Sequence, residues 1–158
     1  MITPTRPTAL RRLLAWLSTS LRRRQVPEEA NTGRWGEDVA AQWLVGKGYA
    51  VIGKRVRPNR RDELDLVVQR GEHLVFVEVK TRRSERYGRP GAAVDARKRH
   101  SLCRAAAAYL RKSRYPKAYY RFDVVEVVGQ PGTDAPIVRH IEDAFRFESR
   151  YRFPVSQA

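Results

Sequence analysis

The sequence predicts an α/β domain, and three observations carry that prediction. At 158 residues with 42% apolar content, the chain suits one domain with a buried core. Two runs rich in Val, Leu and Phe, Leu64 to Gln69 and Leu74 to Lys80, flank a short turn containing Gly71 and read as a β-hairpin. Stretches of helical apolar period lie on either side of this hairpin, so helices and strands alternate along the chain.

Residues 1–31 differ in composition from the remainder of the chain. Leu10, Leu13, Leu14, Leu17 and Leu21 keep helical spacing between arginines, which predicts a short basic amphipathic arm and then a polar linker. Its interrupted apolar run falls short of the roughly 20 residues that span a bilayer, and it lacks the uninterrupted apolar centre of a secretory signal. Such an arm can lie on nucleic acid, make a peripheral contact with a membrane surface, or fold back on the domain. The domain is expected over 32–148, with a tail over 149–158.

Thr32 is a candidate N-cap for a helix that Gly48 ends, with Trp35, Val39, Ala40, Trp43 and Leu44 as its apolar stripe. Glu37 falls on the edge of that stripe and can reach inward, whereas Asp38 falls on the opposite face. The structural alternative for Glu37 is a solvated flank carboxylate. Tyr49 to Val56 reads as a strand leading into the basic loop Arg57 to Arg61, and the hairpin comes next. The segment from Thr81 to Gly91 is too rich in Gly, Pro and Arg to pack, and its Arg82, Arg83, Arg86 and Arg89 suit phosphate contact. Val94 to Lys112 is a long helical pattern. Lys98 lies one turn before Leu102 on its apolar face, and so points toward the sheet unless it snorkels to solvent. Tyr119 to Val128 is a further strand with Phe122, Val124 and Val128 on one face and Arg121 and Asp123 on the other; Asp123 can be a third inward acid, but pairing with Arg121 or with a neighbour on the helix is the simpler account. Ile137 to Ile141 suits an edge strand.

Charge narrows the class of partner. The chain carries 32 Lys and Arg against 17 Asp and Glu, a net of +15. From Lys80 to Arg121 there are 14 basic residues and two acidic ones, a local net of +12. A polyanion such as DNA suits that excess, because each neutralised phosphate releases counterions. An acidic protein or an anionic membrane surface are the alternatives. A single cysteine, Cys103, excludes a disulfide framework and a thiolate zinc cluster, and fits a reducing cytoplasm. His73, His100 and His140 lack zinc-site spacing, and no Gly-rich phosphate loop is present.

The hairpin also carries acids. Alternation places Leu74, Phe76, Glu78 and Lys80 on one face, so an apolar stripe runs into a carboxylate and an amine about 7 Å apart at their Cα atoms. Asp65 on the partner strand can point at the same place. Two carboxylates and a backbone carbonyl are hard oxygen ligands suited to Mg²⁺, and a nearby ammonium can orient a metal-bound water. That set serves phosphodiester hydrolysis. The structural alternative is that Asp65 and Glu78 are strand-end acids with Lys80 as an ordinary ion partner.

Gly36-Glu37, Glu63-Leu64-Asp65, Phe76-Val77-Glu78-Val79-Lys80-Thr81-Arg82, Lys98 and Arg121-Phe122-Asp123-Val124-Val125, taken together, resemble the bacterial YraN-type family. That group is placed near the Holliday junction resolvases in the PD-(D/E)XK nuclease superfamily, and the likeness spans about residues 32–145. The resemblance implies a mixed central β-sheet flanked by helices, with a restriction-endonuclease-like core. By that likeness Asp65 and Glu78, with the carbonyl of Val79, hold Mg²⁺ or Mn²⁺, Lys80 attends the attacking water, and Glu37 completes the acidic cluster. Glu63 is a further candidate. Asp62 stands where the family usually has glycine, and so adds a carboxylate beside the site. The implied activity is metal-dependent DNA endonuclease, with branched DNA as a candidate substrate. A homodimer would suit that substrate, since a four-way junction has two equivalent strands to cut. A nucleic-acid binding module that cuts nothing, and an interaction domain for an acidic protein, stand as alternatives.

Overall fold

The structure, a computed structural model, describes residues 28–84, 94–115, 118–132, 135–151 and 153. The expected arm lies almost wholly outside them, as do Arg86 and Arg89. Among the described residues the order is helix α1 (Glu28–Gly46), strands β1 (Ala50–Val56), β2 (Leu64–Arg70) and β3 (His73–Arg82), helix α2 (Ala96–Lys112), then β4 (Tyr119–Val128) and β5 (Ile137–Phe145). All but the first residues of α1 belong to the unit Thr32–Ala158.

The five strands form one mixed sheet in the order β1-β2-β3-β4-β5. β1, β2 and β3 are successive antiparallel neighbours, β3 and β4 run parallel, and β5 returns antiparallel to β4. Parallel neighbours need a long crossover, and α2 supplies it. The β2–β3 turn is two residues long between the paired Arg70 and His73, and Gly71 takes φ 55°, the left-handed backbone that a tight reversal needs. This is the mixed sheet flanked by helices that the family resemblance implied.

Strand alternation divides the core in two. Leu74 and Phe76 of β3 pack with Phe122 and Val124 of β4 against Leu102, Cys103, Ala105, Ala106 and Leu110 of α2. Val75 and Val77 pack with Val125 and Val127 against Ala40, Ala41 and Leu44 of α1. One helix therefore covers each face of the sheet. Phe147, Tyr151 and Phe153 add an aromatic cluster to the α2 side, with Phe147 4.6 Å from Phe122 and 4.7 Å from Phe153 between ring centroids. Packing on that side thus continues past residue 148.

The helix ends differ from expectation in detail. α1 begins at Glu28, so Thr32 is an interior residue and not a cap. α2 begins at Ala96 behind the N-cap Asp95, whose carboxylate accepts from the Lys98 N–H at 2.8 Å. β5 runs four residues beyond the expected Ile141, to Phe145, whose ring stacks on Phe122 at 4.5 Å. Among the described residues no helix is long and apolar enough to cross a membrane.

Gly36 sets how closely α1 approaches the end of β3. A Cβ at this position would land inside the Thr81 side chain. In an exposed helix interior, Gly→Ala usually gains about 1 kcal/mol. Here we expect Gly36→Ala to destabilise by about 1–3 kcal/mol through overpacking, and Thr81→Gly to restore stability in the double variant. Urea denaturation of the single and double variants reads both effects, and a stabilising Gly36→Ala would contradict this packing.

Candidate active site

The site forms where the β2–β3 ladder stops. Its register runs from Arg70↔His73 to Leu66↔Val77, one step short of the facing positions Asp65 and Glu78. Asp65 turns its carboxylate onto β3, where Oδ2 accepts from the Val79 N–H at 2.8 Å. A side chain thus takes an amide of the neighbouring strand. The carboxyl groups of Asp65 and Glu78 are close enough for each to act on the protonation of the other.

Like charges opposite one another across strands repel, and burial removes the water that would screen them. Burial therefore raises the pKa of Glu78 first and the Asp65 charge adds to it, while Lys98 opposes both; the result is pushed up to about 7. Burial also raises Asp65, against the lowering effect of the Val79 N–H and of Lys98. Lys98 reaches the site from the first turn of α2, its Nζ 2.9 Å from Glu78 Oε2. That oxygen is buried, and the ammonium stands beside it at ion-pair distance. Burial works to lower the Lys98 pKa, but Glu78, Asp65 and Glu63 outweigh it and the pKa is raised. Lys98 thus faces the sheet, as its helical position predicted.

The acids named from sequence take up distinct places. Glu37 is held above the usual carboxylate range, first by burial, with Asp65 and Glu63 adding to it and Arg55 opposing. Its carboxylate is thereby in the field of Asp65, with Arg55 Nε at 3.8 Å. Glu63 is the shared acceptor of Arg55 at 3.1 Å and Arg57 at 2.5 Å. Burial raises Glu63, but those two guanidinium groups outweigh it and its pKa is lowered. Asp62 accepts from Arg104 Nε at 2.8 Å, from Arg104 Nη2 at 2.6 Å and from Asn59 Nδ2 at 2.9 Å. The extra carboxylate is therefore committed to fastening the β1–β2 loop onto α2. Lys80 is half-buried on the same sheet face as Glu78, beside Glu126 in register. Arg82 is half-buried at the end of β3, and Arg83 is exposed.

Asp123 lies apart from these acids, on the α1 face. Its carboxylate meets Arg121 at 3.0 Å, His140 Nε2 at 2.7 Å and the Asp143 N–H at 3.0 Å. This is the structural pairing with Arg121 that the strand pattern favoured, extended to β5.

Two residues of the site escaped the sequence reading. Arg55 takes φ 51°, an uncommon backbone for a non-glycine residue, and from there it reaches both Glu37 and Glu63. No pattern in the sequence marks it. Glu126 is 2% exposed and pairs with Arg82 and Arg139, each at 3.3 Å. Here a signal was available, since Glu126 interrupts the apolar alternation Phe122, Val124, Val128.

The chemistry of the donors fits a hard cation. Two carboxylates face each other where a ladder opens, and one oxygen is buried without a hydrogen bond. Among the described residues, however, no three His, Cys, Asp or Glu side chains converge closely enough to hold a metal ion, so Glu37 stands beside the Asp65–Glu78 pair and does not close on it.

Fold and site together define a class: a small α/β protein with a helix on each face of a mixed sheet, and a group of carboxylates and lysines where two strands part. The chain belongs to the uncharacterised protein family UPF0102, whose sequence model matches residues 36–127. It is 48% identical over 114 residues to a UPF0102 protein of Symbiobacterium thermophilum, covering 72% of this chain and 94% of that one. It is 46% identical over 113 residues to one of Frankia casuarinae, covering 72% and 94%. With one of Solibacter usitatus it shares 42% identity over 134 residues, covering 84% and 98%. This family is the YraN-type group that the motifs resembled.

The raised pKa of Glu78 has a definite sign for stability. A carboxyl whose folded pKa lies above its unfolded 4.5 adds stability below pH 4.5, and this is lost as pH rises through about 7. Glu78→Gln has no such charge to accumulate. Its stability relative to wild type should therefore rise by roughly 2 kcal/mol between about pH 5 and about pH 8. Urea melts of both proteins at the two pH values measure the difference, and a flat difference would contradict the burial argument.

Proposed function

We propose that this protein is a metal-dependent DNA endonuclease that hydrolyses phosphodiester bonds at the Asp65–Glu78 pair. The observation that carries the reading is the pair of facing carboxylates at the open end of the β2–β3 ladder, with Lys98 at 2.9 Å and Lys80 on the same face. Asp65 and Glu78, with the carbonyl of Val79, are the groups that would hold Mg²⁺ or Mn²⁺. When bound, such an ion supplies Lewis acidity to the scissile phosphate and makes a bound water more acidic. Lys80, on the face of Glu78, orients the attacking water. The water oxygen attacks phosphorus, one bridging P–O bond breaks, and the products are a phosphate monoester and a hydroxyl. Arg82 at the end of β3 and Arg83 just after it are the groups that would hold the flanking phosphates of the strand. The net charge of +15 supports a polyanionic substrate. Branched DNA is the form we put first among substrates, with a homodimer as the matching assembly.

A second reading rests on a specific observation. Glu37 does not converge with Asp65 and Glu78 on one point, and a nucleic-acid binding module that keeps this fold needs no third acid.

Labelled duplex, single-stranded and four-way-junction DNA, each with Mg²⁺ or Mn²⁺, separate the two readings. Wild type should cut one of them in a metal-dependent way. Asp65→Asn and Lys80→Ala should lose at least about a hundredfold in rate, the low end of what positioned acid–base groups contribute. Both variants should keep DNA affinity within about threefold, well under one decade or 1.4 kcal/mol. Tight binding by all three proteins with no cutting would establish the binding module instead. Equal cutting by all three would place the reaction elsewhere.

A further inference from the structure

We infer that Lys98 is a tethered counter-ion occupying the cation position between Asp65 and Glu78, so that a divalent metal must displace it to bind. The inference rests on the metal-holding reading of those two acids.

The bare site is costly. Asp65 and Glu78 stand at the facing positions just past the end of the ladder, Glu78 is 8% exposed and Asp65 half-buried, and each carboxyl lies in the other's field. Two neighbouring carboxylates shielded from water need a positive charge or a proton. The arginines nearby are already committed: Arg55 and Arg57 hold Glu63, and Arg104 holds Asp62 in a two-pronged pair. Lys98 is brought in by the start of α2, where the Asp95 cap fixes the first turn through the Lys98 N–H. Its ammonium lies 2.9 Å from Glu78 Oε2 and also feels Asp65 and Glu63.

The ammonium matches the site only in part. It sits 2.9 Å from the buried Glu78 Oε2 and brings one positive charge to two carboxylates, whereas a divalent ion carries the charge of both. Lys98 can leave without being stranded. Its side chain is 41% exposed, against 10% for Glu78, so the four-carbon stem can carry the head group to water or to a phosphate of bound DNA.

Mn²⁺ titration followed by electron paramagnetic resonance, with no DNA present, tests the competition. Lys98→Met keeps the length of the stem and removes the ammonium, and it should bind Mn²⁺ at least about tenfold more tightly than wild type, equivalent to about 1.4 kcal/mol. Arg97→Gln makes the same charge change on an exposed neighbouring residue and should shift the affinity less than about twofold. Labelling of wild type with an amine-reactive reagent, read by mass spectrometry, needs no variant and should show Lys98 becoming more reactive when Mg²⁺ is added. Equal or weaker Mn²⁺ binding by Lys98→Met, or Lys98 labelling unchanged by Mg²⁺ that binds, would overturn the inference and leave the metal reading standing. Absence of Mn²⁺ binding by wild type and by Lys98→Met alike would overturn both.

Discussion

The rest of the site depends on one hydrogen bond, from the Val79 N–H to the Asp65 carboxylate at 2.8 Å. In a continuous hairpin the facing positions after Leu66↔Val77 would be Asp65 and Glu78, a pair without main-chain bonds, and the Val79 N–H would go to the main chain of Leu64 in the step after it. Here an Asp65 oxygen takes an amide of β3, and the two strands part. That exchange leaves two carboxylates close together at a place where water is scarce. Lys98 from α2 and the raised pKa of Glu78 answer to the charge so concentrated.

Architecture delivers these groups through packing that has little to do with charge. α2 lies against Phe76 and Phe122 through Ala105 and Ala106, small residues that let a helix approach a sheet closely, and its first turn then overhangs Glu78. α1 docks through Gly36 onto Thr81, which sets Glu37 one residue further on beside Arg55 and within the field of Asp65. The match to the family begins at residue 36 and ends at 127. That span holds the docking glycine, the opened hairpin, the crossover helix and the strand that pairs in parallel with β3.

Much of this was legible in the sequence, and the reasons are physical. The period of two in Leu74 to Lys80 places Glu78 and Lys80 on the α2 face, and the helical period places Lys98 opposite them; both are local rules, and both hold in the structure. What escaped depends on contacts distant in the chain or on backbone that no side-chain pattern encodes. The commitment of Asp62 to Arg104 spans 42 residues, so its carboxylate looked available to the site when only its neighbours were known. Arg55 reaches two acids from a left-handed backbone that nothing in its sequence context announces. Glu126 was visible as a charge on an apolar strand face, but its meaning required Arg82 from one neighbouring strand and Arg139 from the other.

The central claim is that a divalent cation binds where β2 and β3 part. Nuclear magnetic resonance of the ¹⁵N-labelled protein, with Mn²⁺ added below one equivalent, tests it most directly, because the paramagnetic ion broadens the amides nearest to it. The account predicts that the signals of Asp65, Glu78, Val79 and Lys80 fade first, with those around Asp123 and Glu148 persisting. Broadening centred on Asp123 or Glu148, or spread evenly over the surface acids, would contradict it.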